Sequence, residues 1–387
     1  MQKKVSLVRC ESYDYGLVKK AMKKSIDNIG GFDKYIKKGE KVLLKPNLVM
    51  KKKPEDMSTT HPAVVKALCE LLTEFGAHVI IGDSPGGPFN ELMLSGIYKA
   101  TGMETVASEA GVRLNYNFKS VKRKNPDGLL LKEITITDML NDVDKVISVS
   151  KLKTHGMMTF TGAVKNMFGI IPGLLKAEYH FIMPKKDDFA NALVDICIAA
   201  NPVLSFMDGV VGMEGEGPTA GEPRAINVLI ASDSPYHLDK AACEIIGLPF
   251  DEVSTIKNCI KRGLCTKYLD DVDLIGDDIE DFKIDDFDIP KVTEYVELVR
   301  GPKFLKRFVN SVLRPVPAFK DKVCTVCGIC VDRCPAKVIT IKKGKDKPIL
   351  NTADCIRCYC CHELCPNKAI AIKDPIISKL AFWRKSN

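Results

Sequence analysis

Short apolar runs alternate with amphipathic stretches through the first 275 residues, and several of the runs stop at glycine, proline or aspartate. Lys41–Val49 begins as a buried strand and ends abruptly at Pro46. His61-Pro62 opens a helical pattern through Phe75 that Gly76 closes, with Thr60 as the predicted cap. His78–Gly82 is a β-rich run that halts at Asp83-Ser84-Pro85-Gly86-Gly87, and a helix follows to about Gly102. Strand, loop and helix repeated in this order predict a parallel sheet with helical crossovers. The alternation resumes near Val112–Asn115, Ile134–Ile136 and Lys145–Ser150, with a helix predicted across Ala163–Phe168. Phe189–Ala200 reads as a helix, Val203–Asp208 and Ala225–Ala231 as strands, and Pro235–Ile246 as a helix. A last βα-like segment runs through Ile275. The predicted fold class is α/β, a mostly parallel sheet over residues 1–275 in one or two lobes.

Beyond Ile275 the pattern changes. Residues 276–297 hold nine acidic residues against two lysines, and Lys303–Lys320 is basic and proline-bearing, so 276–320 reads as an acidic and then basic connector. Residues 321–373 carry two runs, Cys324-Thr-Val-Cys327-Gly-Ile-Cys330-Val-Asp-Arg-Cys334-Pro335 and Cys355-Ile-Arg-Cys358-Tyr-Cys-Cys361-His-Glu-Leu-Cys365-Pro366. Each is a complete C-x₂-C-x₂-C-x₃-C-P motif, the spacing that binds a [4Fe–4S] cubane. Two-residue gaps fold the chain tightly enough for three thiolates to reach three irons, while the fourth points at the other cluster. One cluster is therefore expected on Cys324, Cys327, Cys330 and Cys365, and the other on Cys355, Cys358, Cys361 and Cys334. Structural zinc calls for pairs of cysteines and not two quartets each closed by proline. A disulfide framework requires an oxidising compartment, and the N-terminus shows no signal-peptide core. Cys360 falls outside the spacing and reads as a non-ligand. This region resembles the bacterial-type two-cluster ferredoxin domain, which implies an α+β module of two pseudo-symmetric hairpin-and-helix halves. The tail, 374–387, is apolar and basic; Ile376–Trp383 is expected to pack on the protein or a partner, with a membrane surface as the alternative.

Composition adds the compartment and the partners. No apolar run approaches the roughly 18 residues that span a bilayer, and 15 cysteines belong in a reducing cytoplasm. The net charge of +8 is uneven: from Pro302 onward there are 18 Lys and Arg against 6 Asp and Glu. No nucleic-acid-binding signature accompanies that basic block. It is expected to offset cluster charge or to dock an acidic redox partner such as a ferredoxin or a reductase.

In a parallel α/β sheet, ligands bind at the carboxyl ends of the strands. Polar residues gather at several such ends: Lys45-Pro46-Asn47, Asp83–Gly87, Lys151–Gly156, Asp208-Gly209 with Glu214–Gly217, and Asp233-Ser234-Pro235. The richest stretch, Lys151–Gly173, supplies Lys151, Lys153 and Lys165 as cations. Thr161-Gly162 before Ala163 predicts helix amides turned to an anion. Neither a Walker A loop nor G-x-G-x-x-G is present. His155, inside this cationic loop, and His61 are the candidate proton carriers. The expected ligand-binding set is Lys45, Asn47, Asp83, Ser84, Lys151 and Asn166, and the expected catalytic set is Lys153, His155 and Lys165.

Taken together, Lys45-Pro46-Asn47-Leu48, Gly82-Asp83-Ser84-Pro85-Gly86, Lys151-Leu-Lys153-Thr154-His155, Gly162-Ala-Val-Lys165-Asn166 and Asp239 resemble the domain of unknown function 362 family. The resemblance runs from about Lys3 to Ile372. It implies a prokaryotic, often anaerobic iron–sulfur protein fused to a two-cluster ferredoxin domain, and it implies no reaction. The function expected is that of an oxidoreductase that relays electrons through two [4Fe–4S] clusters to an anionic ligand in the α/β cleft. The alternative is a carrier or assembly adaptor whose α/β domain grips a partner protein.

Overall fold

The computed structural model describes residues 3–290, 315–342 and 347–373. Strands β1 (Lys4–Arg9), β2 (Lys41–Pro46), β3 (His78–Ile81) and β4 (Arg113–Leu114) are joined with β7 (Lys145–His155), β8 (Thr159–Thr161), β9 (Leu204–Glu214), β10 (Glu222–Ser232) and β11 (Asp273–Gly276). They form one nine-stranded sheet in the order β11-β1-β10-β9-β7-β2-β3-β4, with β8 paired to the end of β7. Neighbours run parallel except that β10 opposes both β1 and β9, and β8 opposes β7.

The central strands are apolar on both faces because both faces are covered. Val42, Leu44, Val79, Ile81, Ile147 and Val149 point to one side, where helices α1 (Tyr15–Asn28), α2 (Pro62–Phe75), α3 (Glu91–Ala100) and α4 (Met103–Ala110) pack. Leu43, Ile80 and Val146 point to the other. That side carries α5 (Ala163–Asn166), α6 (Leu175–Ile182), α7 (Lys186–Ala200), α8 (Pro235–Ile245) and α9 (Ser254–Lys261).

Several elements differ from the sequence expectation. The strand predicted at Ile134–Ile136 forms (β6, Glu133–Thr137) but leaves the main sheet and pairs with β5 (Ser120–Lys124) as a separate antiparallel ribbon. Its partner Ser-Val-Lys-Arg-Lys is too charged to lie between two helical layers. The helix predicted across Ala163–Phe168 is α-helical only to Asn166 and then tightens into a 3₁₀ turn over Met167–Ile170. The start of the acidic connector is held to the α/β body by Phe282 and Phe287, both in the core beside Leu7 and Ile245.

The cluster-motif region contains β12 (Val316–Phe319) paired with β15 (Ile370–Lys373), and β13 (Ile339–Thr340) paired with β14 (Ile349–Leu350). Two one-turn helices, Ile329–Asp332 and Cys360–Glu363, contact each other between the ribbons. The module thus begins by Val316. The tail segment Ile376–Trp383 and residues 303–314 of the predicted bridge lie outside the described residues.

Candidate functional site

Because β2, β3, β7 and β9 run parallel, their carboxyl ends meet at one edge of the sheet, and the cluster module sits over that edge. Between them is a cavity of about 490 Å³. Its α/β wall is built from Lys45, Asn47, Ser84, Lys153, Lys165 and Asn166 together with α6; its other wall includes Cys334, Cys360, Glu363 and Leu364.

Lys45 is 1% exposed and held by the Asp83 carboxylate at 2.8 Å and by Asn166 Oδ1 at 2.7 Å. Burial pulls its pKa down while Asp83 pushes back. The same Asp83 accepts from the Leu48 amide at 3.0 Å, so one carboxylate ties two strand ends together. Gly169 passes so close that a Cβ there would overlap Asp83 and Lys45. Asn166 returns Nδ2 to the Lys45 carbonyl and to Ser148 Oγ. Lys153, also 1% exposed, donates to Asn47 Oδ1, Ser58 O and Pro218 O. Burial and then Lys165 drive its pKa well down, but three acceptors for three protons match an ammonium group.

Lys165 differs. It is half-buried on α5, lines the cavity, and makes no hydrogen bond or ion pair among the described residues. Lys176, on α6, donates to Ser84 O and to Ile171 O, and burial, with help from Lys45 and Lys165, lowers its pKa to about 7 against the pull of Asp83. Ser84 Oγ is buried without a partner and lines the same space. Five lysines and Arg333 against Asp83, Glu178, Asp332 and Glu363 leave the cavity cationic and suited to an anion.

His155 stands behind this wall and does not line the cavity. Its Nδ1 accepts from the Met157 and Met158 amides at 3.0 and 3.2 Å, which leaves the ring proton on Nε2, 3.0 Å from Glu363 Oε1. The carboxylate oxygen lies off the direction of that N–H, so the contact is charge against dipole and not an aligned hydrogen bond. Burial and Lys165 lower the imidazole pKa to about 4, and Glu363, despite its burial, is held down at about 2 by the His155 contact and Lys165. The pair is a neutral imidazole beside an ionised carboxylate. His155 therefore joins the two parts of the chain and touches the cavity only through Glu363. The Glu363 carbonyl also accepts from Thr219 Oγ1 at 2.8 Å, and His362 faces the Glu216 carbonyl at 3.3 Å.

Other expectations are redirected. Lys151, expected to bind ligand, is 1% exposed and pairs with Asp208 at 2.9 Å and Tyr13 Oη at 2.7 Å, away from the cavity. Asp208 also accepts the His61 amide, and His61 stacks on Tyr13 at 3.6 Å. Burial takes His61 to a pKa of about 4, which removes it as a proton carrier near neutrality. The amides of Ala163 and Val164 are not open to an anion, because the Asp239 carboxylate caps them at 2.5 and 3.0 Å. Gly162 allows this approach, since a Cβ would overlap that carboxylate. Asp233-Ser234-Pro235 lies at the opposite edge because β10 is antiparallel, and Asp233 sits there near Lys3 and Lys34. Sequence pattern does not single out Lys176, Glu363 or the apolar residues of α6, because Lys176 stands in an ordinary amphipathic helix and Glu363 falls in the spacing between cysteines.

The cysteines of both motifs gather within the one module. Cys324, Cys327, Cys330 and Cys365 surround a second small pocket. Cys361 has Cys358, Cys355, Cys334 and Cys330 as its electrostatic neighbours. Backbone amides of Val338 and Ala369 donate to the Cys334 and Cys365 sulfurs at 3.4 and 3.2 Å, an arrangement that suits bound thiolates. Among the described residues no three ligand-type side chains close tightly enough for a single metal ion. Eight cysteines in two complete motifs, with backbone amides on two of the sulfurs, form a donor set whose chemistry suits [4Fe–4S] clusters. Cys360 is buried, lines the cavity and lies within hydrogen-bonding reach of the Cys358 side chain.

Residues 323–370 match the 4Fe-4S dicluster domain, an iron–sulfur domain of electron-transfer type. A thylakoid-associated protein of Synechocystis sp. is 32% identical over 68% of this chain and 81% of its own. Among solved structures, the lactate racemase apoprotein of Thermoanaerobacterium thermosaccharolyticum aligns at 13% identity and TM-score 0.37, over 62% of this chain and 56% of its own. A Thermotoga maritima protein aligns at 15% identity and TM-score 0.37, over 61% of this chain and 60% of its own. No helix among the described residues is long and apolar enough to cross a membrane. Residues 42–244, which contain the strand-end lysines, Asn166 and Asp239, match the domain of unknown function DUF362, and the chain belongs to that family.

Proposed function

We propose that the protein is an iron–sulfur oxidoreductase in which an anionic ligand or acceptor binds between the α/β body and the cluster module. Cys324, Cys327, Cys330 and Cys365 hold one [4Fe–4S] cluster, and Cys355, Cys358, Cys361 and Cys334 hold the other. When bound, the clusters supply single low-potential electrons, delivered by an external donor, to the ligand in the cavity. The observation that carries this reading is the shared wall: Cys334 lines the same cavity as Lys165 and Lys176. A ligand held there would lie beside one quartet of thiolates and next to unpaired cationic donors.

The roles divide among the residues. Lys165 and Lys176 neutralise the ligand's charge, and Ser84 Oγ orients it. Lys45, Lys153, Asn47, Asp83 and Asn166 keep the strand ends in place, so they position the binding groups. Lys176, with a pKa of about 7, can hold or release a proton at neutral pH. His155 holds Glu363 in the wall. We place the protein in a reducing cytoplasm, which suits 15 cysteines with no disulfide among them, and assign the basic segment after Pro302 to an acidic redox partner.

Native mass spectrometry of anaerobically purified protein, with iron and sulfide counted, tests the reading. The expected mass is polypeptide plus two cubanes plus a discrete small molecule that Lys165→Ala no longer retains. Two cubanes with nothing further, and cluster signals indifferent to added anions, would reject the enzyme and leave an electron carrier.

A further inference from the structure

We propose that the cavity takes an anion with a bulky apolar body, an aryl or acyl carboxylate or phosphate, and not a small oxyanion. This deepens the ligand reading above and rests on it. A space of about 490 Å³ falls in the range that holds drug-sized ligands, of which a free sulfate or acetate would fill a small part. The lining is divided in kind. On the α/β wall the polar donors without full employment are few: among the described residues Lys165 Nζ has no partner, Ser84 Oγ is buried without one, and Lys176 Nζ has one proton left after Ser84 O and Ile171 O, while Arg333 and the exposed Lys337 add cations from the module wall. Lys45 and Lys153 are already saturated, so the headgroup belongs at Lys165, Lys176 and Ser84. The rest of the wall is mainly apolar and includes Val49, Phe168, Leu174, Phe181, Ile182 and Leu364.

The mouth supplies a second observation. Leu174, Phe181 and Ile182 line the cavity yet are 55%, 54% and 65% exposed. Large side chains left in water around a cationic pocket would be covered by an apolar body whose charged end reaches Lys165. A small oxyanion would leave them as they are.

Anaerobic calorimetric titration of the full, cluster-loaded chain decides the matter, with 1-naphthoate and 1-naphthyl phosphate as bulky probes and acetate and sulfate as small ones. One site is expected for a naphthyl probe, and the tighter of the two names the headgroup. Lys165→Gln should weaken it by about tenfold, the loss of one hydrogen bond to a charged group. Phe181→Ser, at an exposed position that does not endanger folding, should weaken naphthyl binding by about tenfold or less and leave iron content unchanged. Acetate or sulfate binding as tightly as the naphthyl probes would overturn the apolar body and spare the anion site. Naphthyl binding unchanged in Lys165→Gln, or absent altogether, would overturn this proposal and remove the support for an anionic ligand in the cavity.

Discussion

The lysines of the cavity differ in what they have left to give, and that difference has measurable consequences. Lys176, at a pKa of about 7, is largely charged below that pH and largely neutral above it. Affinity for an anionic probe should therefore fall as pH rises from about 6.5 to 8.5, and Lys176→Gln should flatten that slope while lowering affinity on the acid side. Titrations at several pH values check this; an equal slope in the variant would contradict it. Lys45 serves structure instead. Asp83→Asn would leave a buried ammonium with no counter-ion, a loss of about 3 kcal/mol or more and roughly 4 °C in melting temperature by thermal denaturation. Replacing both, Lys45→Met with Asp83→Leu, should recover most of it. The sequence made Lys45, Asn47, Asp83, Lys153, Lys165 and Asn166 legible because polar residues at strand ends are out of place as plain turns. It could not sort them into saturated and free, since saturation depends on partners as distant as Asn166 and Ser58. Lys151 reads as a ligand donor for the same reason, yet its partners Tyr13 and Asp208 come from another helix start and another strand, and it does not line the cavity.

Among the elements, β7 determines where these residues stand. Lys-Leu-Lys-Thr-His reads as a loop because charged residues and a following glycine suggest solvent. The strand nevertheless continues to His155, because β8 and β9 supply ladder partners on both sides of it. Its buried lysines are tolerated only where acceptors meet them. The short α5 shows a related compromise, with its first amides taken by Asp239 from α8. Gly162→Ala should push that carboxylate away and cost about 2 kcal/mol, the combined loss of a cap and of satisfied buried amides. Asp239→Ala should cost a similar amount, and the double variant no more than either, since both remove one interaction. Chemical denaturation of the three proteins measures this; additive losses would mean that the glycine answers to another neighbour.

At the scale of the molecule, the cavity exists because two differently built parts meet, and only one side of it was readable. The cysteine spacing made the iron–sulfur module legible, since the motif is written into local gaps. Nothing in it announced that the Cys360–Glu363 turn would face the strand ends, because docking depends on Gly86, Thr219, His155 and Leu364 fitting together across distant sequence. That docking makes the two quartets unequal: Cys334 lies in the cavity wall, while Cys324, Cys327, Cys330 and Cys365 surround a separate pocket. Adding 1-naphthoate to reduced protein should thus alter one paramagnetic resonance signal and leave the other. Cys327→Ala and Cys358→Ala should each lose about half the iron, since each removes a ligand of a different cluster. The ligand-sensitive signal should persist in the first variant and vanish in the second. Equal perturbation of both signals would place the ligand away from the Cys334 wall, and the electron path through the cavity would have to be abandoned.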